Sequence, residues 1–317
     1  MKKICLVLLS LVSAMIIQAQ HHVDSFFDDM GNVNVESDVD VSLDVMVDFP
    51  HRKDDIAWHR SVYRVIDMRY KQNFQLYYPT TSEHRQYCSL FHVMLKAIQD
   101  GMPIYEKSSD MGDIKPYFNL PPMSREAIPM LLNTDRTGEG DANIATSDAM
   151  LLNYDSTTQE MRFNNYSYKG FVRNQLKYLI QEVIFFDVHY SRLFSKIVAI
   201  APLHADNTTY YDGMPVTEAL WGQILFWVPF DSFRPYMAKQ YMIPRGNNDI
   251  ERVTFDEFFV KKLYSSYLVG ASNVYDRMIP DYVPYSEDTE EYHAAILKEQ
   301  ERIERELLNF EQDLWEY

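Results

Sequence analysis

Cys88 and His92 stand four residues apart in an apolar segment, the spacing at which a helix brings a thiol and an imidazole onto one face. A nucleophile so placed needs a third group to orient the imidazole, and none is in view, so the pair reads as core. The nine histidines include no HExxH, and no CxxC occurs, which leaves a zinc site unsupported. His21-His22 stands outside any such pattern. Asp38-Val39-Asp40-Val41-Ser42-Leu43-Asp44 has the alternating acids of a calcium loop. It carries Leu43 where the loop needs glycine and Phe49 where it needs the bidentate acid. Thr137-Gly138-Glu139-Gly140 has too few glycines and too much negative charge to cradle a phosphate. Asn165-Tyr166-Ser167 and Asn207-Thr208-Thr209 fit the glycosylation sequon, a pattern of low specificity. Catalytic, cofactor and metal residues are therefore expected to be none.

The first residues speak of transport. Met1-Lys2-Lys3 is a short positive start, Ile4–Ile17 an apolar run, and Ala19 a small residue at a cleavage position. Residues 1–19 are read as a cleaved signal peptide, too short to remain as a comfortable membrane span. Cys5 lies too early to carry a lipid after cleavage. Loss of Lys2 and Lys3 takes the formal charge from −16 to −18. So acidic a surface repels nucleic acid and anionic membranes, and no direct membrane insertion is expected. The mature chain keeps one cysteine, Cys88, so no internal disulfide can form.

Next come the elements that would position any site. Residues 20–53 form an acidic N-terminal arm. Residues 21–50 hold eight acids and no Lys or Arg, and Val39, Val41, Leu43, Val45 and Val47 alternate with Asp40, Ser42, Asp44, Met46 and Asp48. That period of two is a strand with one acidic face, either an edge of its own domain or an addition to a neighbouring subunit's sheet. Asp55 caps an expected helix to Tyr70, with Ile56, Val62, Val65 and Ile66 as its buried stripe. Asn73–Pro79 is read as extended. A second helix runs from Ser82 to a stop at Gly101, and Ser124 caps a third to about Leu132. Residues 133–169 are rich in Asn, Asp, Gly, Ser and Thr and read as a break. Residues 175–186 and 191–201 are two strands joined at Asp187–Tyr190, with Pro202 as a stop. Ile224–Val228 is a third strand. A helix around Phe233–Lys239 contains Pro235, and Thr254 caps a helix to about Val269 with Glu257 in the capping box. Ser286–Tyr317 is a charged helix whose Ile296, Ile303 and Phe310 recur every seven residues, as do Leu307 and Leu314. That seam packs either on its own domain or on a partner helix. The fold class is α+β, with antiparallel sheet elements, packed helices and a long charged C-terminal helix.

Three surface features invite a partner. Phe226–Phe230 and Tyr264–Tyr267 have the aromatic density of interfaces, with core packing as the competing reading. Arg60, Arg64, Arg69 and Lys71 form a basic cluster that would suit the acidic arm of another copy, or simply a helix surface.

The segment Asp54–Asn73 with Leu76-Tyr77-Tyr78-Pro79 resembles the opening of the GldN/PorN family. So do Glu182–Asp187 with Ser195–Pro202, Leu225–Pro229 with Val253–Phe259, and Tyr264–Tyr267 with Ser272–Ile279. Order and spacing fit over residues 54–282. The residues divide the chain into a leader at 1–19, an arm at 20–53, a domain at 54–285 with an internal boundary at 133–169, and a C-terminal helix at 286–317, and the resemblance implies that 54–285 is a GldN/PorN-like α+β domain. It implies a non-enzymatic periplasmic subunit of the type IX secretion system, linked to gliding motility and without cofactors. The implied partners are an outer-membrane lipoprotein of the GldK/PorK kind, copies of itself in a ring, and GldL/GldM-like motor components. The residues alone also leave room for an exported hydrolase or carbohydrate-binding protein with an aromatic cleft, or for a free periplasmic chaperone.

Overall fold

The computed structural model describes residues 44–47, 50–80, 87–107, 114–124, 127–128, 152–155, 160–163, 176–204, 210–211, 214–215, 223–244, 252–273, 277–283 and 290–315. By its contacts the chain divides into two units, Met1–Leu43 with Pro244–Arg252, and Asp44–Ile243 with Val253–Tyr317. Everything below concerns the second. The calcium-like sequence as a whole, His21-His22, the sequons and the leader lie outside the described residues.

In chain order the elements are β1 Ile56–Asp67, α1 Phe74–Tyr77, α2 Leu90–Gln99, β2 Leu152–Asp155, β3 Glu160–Phe163, β4 Leu176–Asp187 and β5 Arg192–His204. There follow β6 Tyr210–Tyr211, β7 Met214–Pro215, β8 Gln223–Ile224, β9 Val228–Pro229, α3 Phe230–Ala238, α4 Phe255–Val260, β10 Tyr267–Ala271, α5 Ile279–Tyr282 and α6 Glu290–Trp315. The main sheet is antiparallel in the order β10-β1-β4-β5-β8, with β9 also on β5. The α+β class holds, with the long C-terminal helix present.

The β4–β5 hairpin is its spine, and Ile180 faces Ile200 across it. Both strands are dense in β-branched and aromatic residues. The Asp187 carboxylate accepts from the backbone N–H of His189 (2.9 Å) and Tyr190 (3.3 Å). Ser191 at φ 50° completes the reversal. β5 runs on through Pro202 to His204, where the sequence placed a stop.

Several sequence expectations are corrected. Asp55–Tyr70 is a 3-10 turn and then strand β1, not a helix. The sheet is covered on both faces, so β1 buries Val62 and Ile66 on one side and Tyr63 and Val65 on the other. A strand buried on both sides loses its period of two and imitates a helical stripe. Asn73–Pro79 contains a turn of helix, α1, in place of extended chain. The second helix starts at Leu90, with the Ser89 hydroxyl accepting from His92 N–H, and Gly101 ends it at φ 103°. The segment 133–169 includes the paired strands β2 and β3. Ile224–Val228 is two short strands, β8 and β9, flanking Leu225–Trp227. The helix at Thr254 has the expected cap, Glu257 N–H to Thr254 Oγ1 at 3.2 Å, but stops at Val260. Lys262 at φ 52° turns the chain, and Tyr267–Val269, expected as its end, belong to β10. Helix α3 begins earlier than expected, at Phe230, and tolerates Pro235 within its nine residues.

The main core lies on one sheet face, where α2, α3 and α4 cover Ile66, Tyr178, Ile180 and Ile200. On the other face Ile114, Trp227 and Met278 cover Val65, Leu179 and Ala201.

Candidate assembly interface

The C-terminal helix has a helix-favouring composition, rich in Glu and Leu with no Gly or Pro. Arg302 pairs with Glu299 (2.7 Å) and Glu306 (3.4 Å) along its surface. Its heptad seam is occupied by the chain's own sheet. Ile303 is 3% exposed in a cluster with Val62, Leu268, Ala271 and Ile279, and Ile296 and Leu307 pack at the margin. Phe310 lies on Trp58, ring centroids 4.4 Å apart. Of the two readings of the seam, packing in cis prevails.

The basic cluster divides. Arg60 Nη1 lies 3.4 Å from Glu306 Oε1, and Arg64 Nη1 donates to Glu304 Oε1 at 3.1 Å. Both acids are half exposed, so each pair contributes about 0.2–1 kcal/mol and mainly fixes how α6 lies. Arg69 turns back on Asp67, its Nη2 2.6 Å from Oδ2. Burial alone would raise the Asp67 carboxyl. The hydrogen bonds and charge of Arg69, with Lys177 at 3.5 Å, hold it below the ordinary value. Arg60 and Arg64 thus sit on a strand and meet acids of the same chain, where a helix surface or a neighbour's arm was expected.

Under α6 and α4 lies a buried carboxylate, Glu182. Tyr264 O–H donates to it at 2.7 Å, and Lys262 Nζ (3.3 Å) and Arg64 Nε (3.4 Å) flank it. Burial first, then the adjoining negative charge, pushes the Tyr264 hydroxyl well above its usual pKa, so it stays a donor. Every side of Glu182 meets a cation or a donor, the arrangement of a structural anchor.

A second buried pair holds the end of the arm. Arg234 Nε donates to Asp256 Oδ1 at 2.8 Å, and Arg234 Nη2 to Oδ2 at 3.2 Å. The same two side chains grip the backbone of one residue of the arm. Arg234 Nη2 donates to Met46 O at 2.6 Å, and Met46 N–H to Asp256 Oδ2 at 2.8 Å. Residues 44–47 carry no strand ladder within the chain, and the rest of the alternating run from Val39 lies outside the described residues.

The aromatic segments resolve toward the core. Phe226, Trp227, Val228 and Phe230 are buried, and Tyr264 packs on Phe258 and Phe259. Phe226–Trp227 follow β8 inward, under the segment that pairs Tyr105 with Trp227. Cys88 lies before α2, not on it, and both Cys88 and His92 are buried in the main core.

Two open cavities, of 530 and 340 Å³, adjoin each other where α5, α6 and the end of β10 meet. They share Tyr282, Glu299 and Arg302. Hydrogen bonding by Arg302 lowers the Glu299 carboxyl from its usual value, and burial with the Glu299 contact pushes Tyr282 up to about 12. Among the described residues no group of three or more His, Cys, Asp or Glu is placed to hold a metal ion. Among the same residues no helix is long and apolar enough to cross a membrane.

A search of the curated proteins gives no match. The family model for gliding motility associated protein GldN matches residues 51–316, which takes in β1, the main sheet and α6. With five-sixths of the sequence matched in one continuous span, the chain belongs to the GldN family.

Proposed function

We propose that this protein is a non-enzymatic structural subunit of the periplasmic ring of the type IX secretion system, coupled to gliding motility. It assembles with an outer-membrane lipoprotein of the GldK/PorK kind and with further copies of itself. GldL/GldM-like motor components act on that assembly. The observation that carries this reading is the family match over residues 51–316.

The physical chemistry is consistent with it. A leader at 1–19 delivers the chain to the periplasm, and the net charge of −18 left after cleavage keeps it off anionic lipid. A lipoprotein must then hold it at the outer membrane. The buried ionic groups, Glu182 and the Arg234–Asp256 pair, hold elements of the fold to one another. Helix α6 is spent on the chain's own sheet, so each copy is a preformed block. Blocks of this kind turn a membrane-tethered lipoprotein into a multivalent platform.

The test is purification of residues 20–317 with the lipoprotein co-expressed. The two should elute together, and outer-membrane association should vanish in cells lacking the lipoprotein. Association that persists without the lipoprotein would defeat the reading.

A further inference from the structure

The two adjoining cavities between α5, α6 and the end of β10 run against the charge of the chain. Acids outnumber cations 46 to 30 in the whole sequence. Along these walls the order reverses. Five cations, Arg60, Arg277, Lys298, Arg302 and Arg305, stand against two acids, Glu299 and Glu301. The buried side chains of Ala271 and Ile303 line the smaller cavity, and Val283 and Ala295 the larger. Their volumes, 340 and 530 Å³, lie in the range of ligand pockets, roughly 300–1,000 Å³. Apolar walls bordered by guanidinium groups suit a ligand that presents a carboxylate beside an apolar side chain.

The fold holds these cations in place. Asn273 Nδ2 donates to Arg277 O at 2.6 Å and to Ala271 O at 3.2 Å, and Arg277 N–H donates to Asn273 Oδ1 at 3.2 Å. Those bonds fix the backbone that carries the exposed Arg277 side chain at the smaller cavity. Arg302 donates from Nη2 to Glu299 Oε1 at 2.7 Å and from Nε to Oε2 at 2.9 Å. Tyr282 O–H donates to the same carboxylate at 2.8 Å.

The chain's own Glu306 shows what the arginines take. Its Oε1 lies 3.4 Å from Arg60 Nη1, and its Oε2 lies 3.4 Å from Arg302 Nη1. One carboxylate thus spans an arginine of the sheet and an arginine of the helix. Both distances exceed the roughly 2.7–2.9 Å of a well-made charge-assisted bond. Glu306 is half exposed, so a carboxylate that closes the two distances can take its place at small cost.

We propose that these cavities are the docking site for an acidic peptide segment of a partner protein, with an apolar side chain as its anchor and Glu306 as the internal carboxylate it displaces. The two acids in the walls favour a peptide over free phosphate. Glu299 and Glu301 repel a phosphate, whereas a peptide brings backbone N–H donors that they can accept from. The site goes beyond the ring-subunit reading and does not depend on it.

The test is fluorescence anisotropy of a labelled peptide alternating aspartate and leucine, titrated with unsubstituted residues 20–317 and with three variants. Binding should saturate and should weaken as salt rises. Glu306→Gln should tighten it about two- to fivefold, because Arg60 and Arg302 lose their internal carboxylate. Asp231→Asn makes the same change of charge at an exposed residue of α3 and should leave binding unchanged. Arg277→Gln should weaken it about two- to fivefold. A gain of affinity does not arise from misfolding, so the Glu306→Gln result decides even where Arg277→Gln unsettles the fold. A peptide with serine in place of leucine should bind more weakly, and equal binding would overturn the apolar anchor. No saturable binding would overturn the site, as would equal effects of Glu306→Gln and Asp231→Asn. Capture by phosphatidylglycerol vesicles but not by the peptide would overturn it in favour of a lipid surface. Every readout uses the isolated protein, so the site stands or falls apart from ring formation.

Discussion

Ile303→Ala is the sharpest probe of where α6 belongs. Ile303 is 3% exposed, between Val62, Leu268 and Ile279. The substitution removes three buried carbons, about 2.4 kcal/mol at roughly 0.8 kcal/mol each. A seam held between a rigid sheet and a helix collapses only partly, so a cavity term takes the expected loss to about 3–4 kcal/mol. At roughly 2–4 °C per kcal/mol for a domain of this size, the melting temperature should fall by about 6–16 °C. Thermal melts of residues 20–317 followed by circular dichroism read this directly, at two protein concentrations a hundredfold apart. Leu308, 54% exposed on the same helix, is the control, and Leu308→Ala should stay within about 0.5 kcal/mol. The loss at Ile303 should be the same at both concentrations. A melting temperature unchanged by Ile303→Ala, together with lost self-association, would mean the heptad serves a partner helix and would refute packing in cis.

Other perturbations follow from named contacts. Asp256→Ala strips the buried Arg234 of its partner and should cost about 3–5 kcal/mol in urea unfolding, while limited proteolysis near Met46 accelerates. Asp67 has its folded pKa held below the ordinary 3.8, so its contribution is present above that value. It is lost as pH falls through the lowered folded value, and Asp67→Asn should weaken the protein at neutral pH while flattening its acid limb. Gly270→Ala drives a Cβ into Met278 Sδ and should destabilise by about 1–3 kcal/mol, part of which Met278→Ala recovers in a double-mutant cycle.

What the sequence discloses follows from how each element is buried. The β4–β5 hairpin is legible because dense β-branched and aromatic residues flank a turn that Asp187 caps. The cap at Thr254 and the stop at Gly101 are legible because each is a local contact. β1 is not, because its charges hide the pattern. Arg60 and Arg64 sit on the face of Val62 and Ile66 and are neutralised by Glu306, Glu304 and Glu182 from distant segments. Acids from strand β4 and from a helix 240 residues away make that face tolerable to cations. β10 was hidden for a similar reason, since Tyr264–Val269 continues the apolar run of α4 past the turn at Lys262. The heptad was visible in α6, but its partner was not, because a seam of Ile296, Ile303 and Phe310 suits a sheet as well as another helix. Met46 gave no signal at all, since Arg234 and Asp256 hold its backbone and not its side chain.

The central claim is that copies of this chain and a lipoprotein build one large ring. Detergent extracts of outer membranes, fractionated by size and imaged by negative-stain electron microscopy, test it most directly. A ring subunit should appear with the lipoprotein in closed particles far larger than one 37.4 kDa chain. Recovery of the protein only as a free monomer, with the lipoprotein in separate fractions, would contradict it.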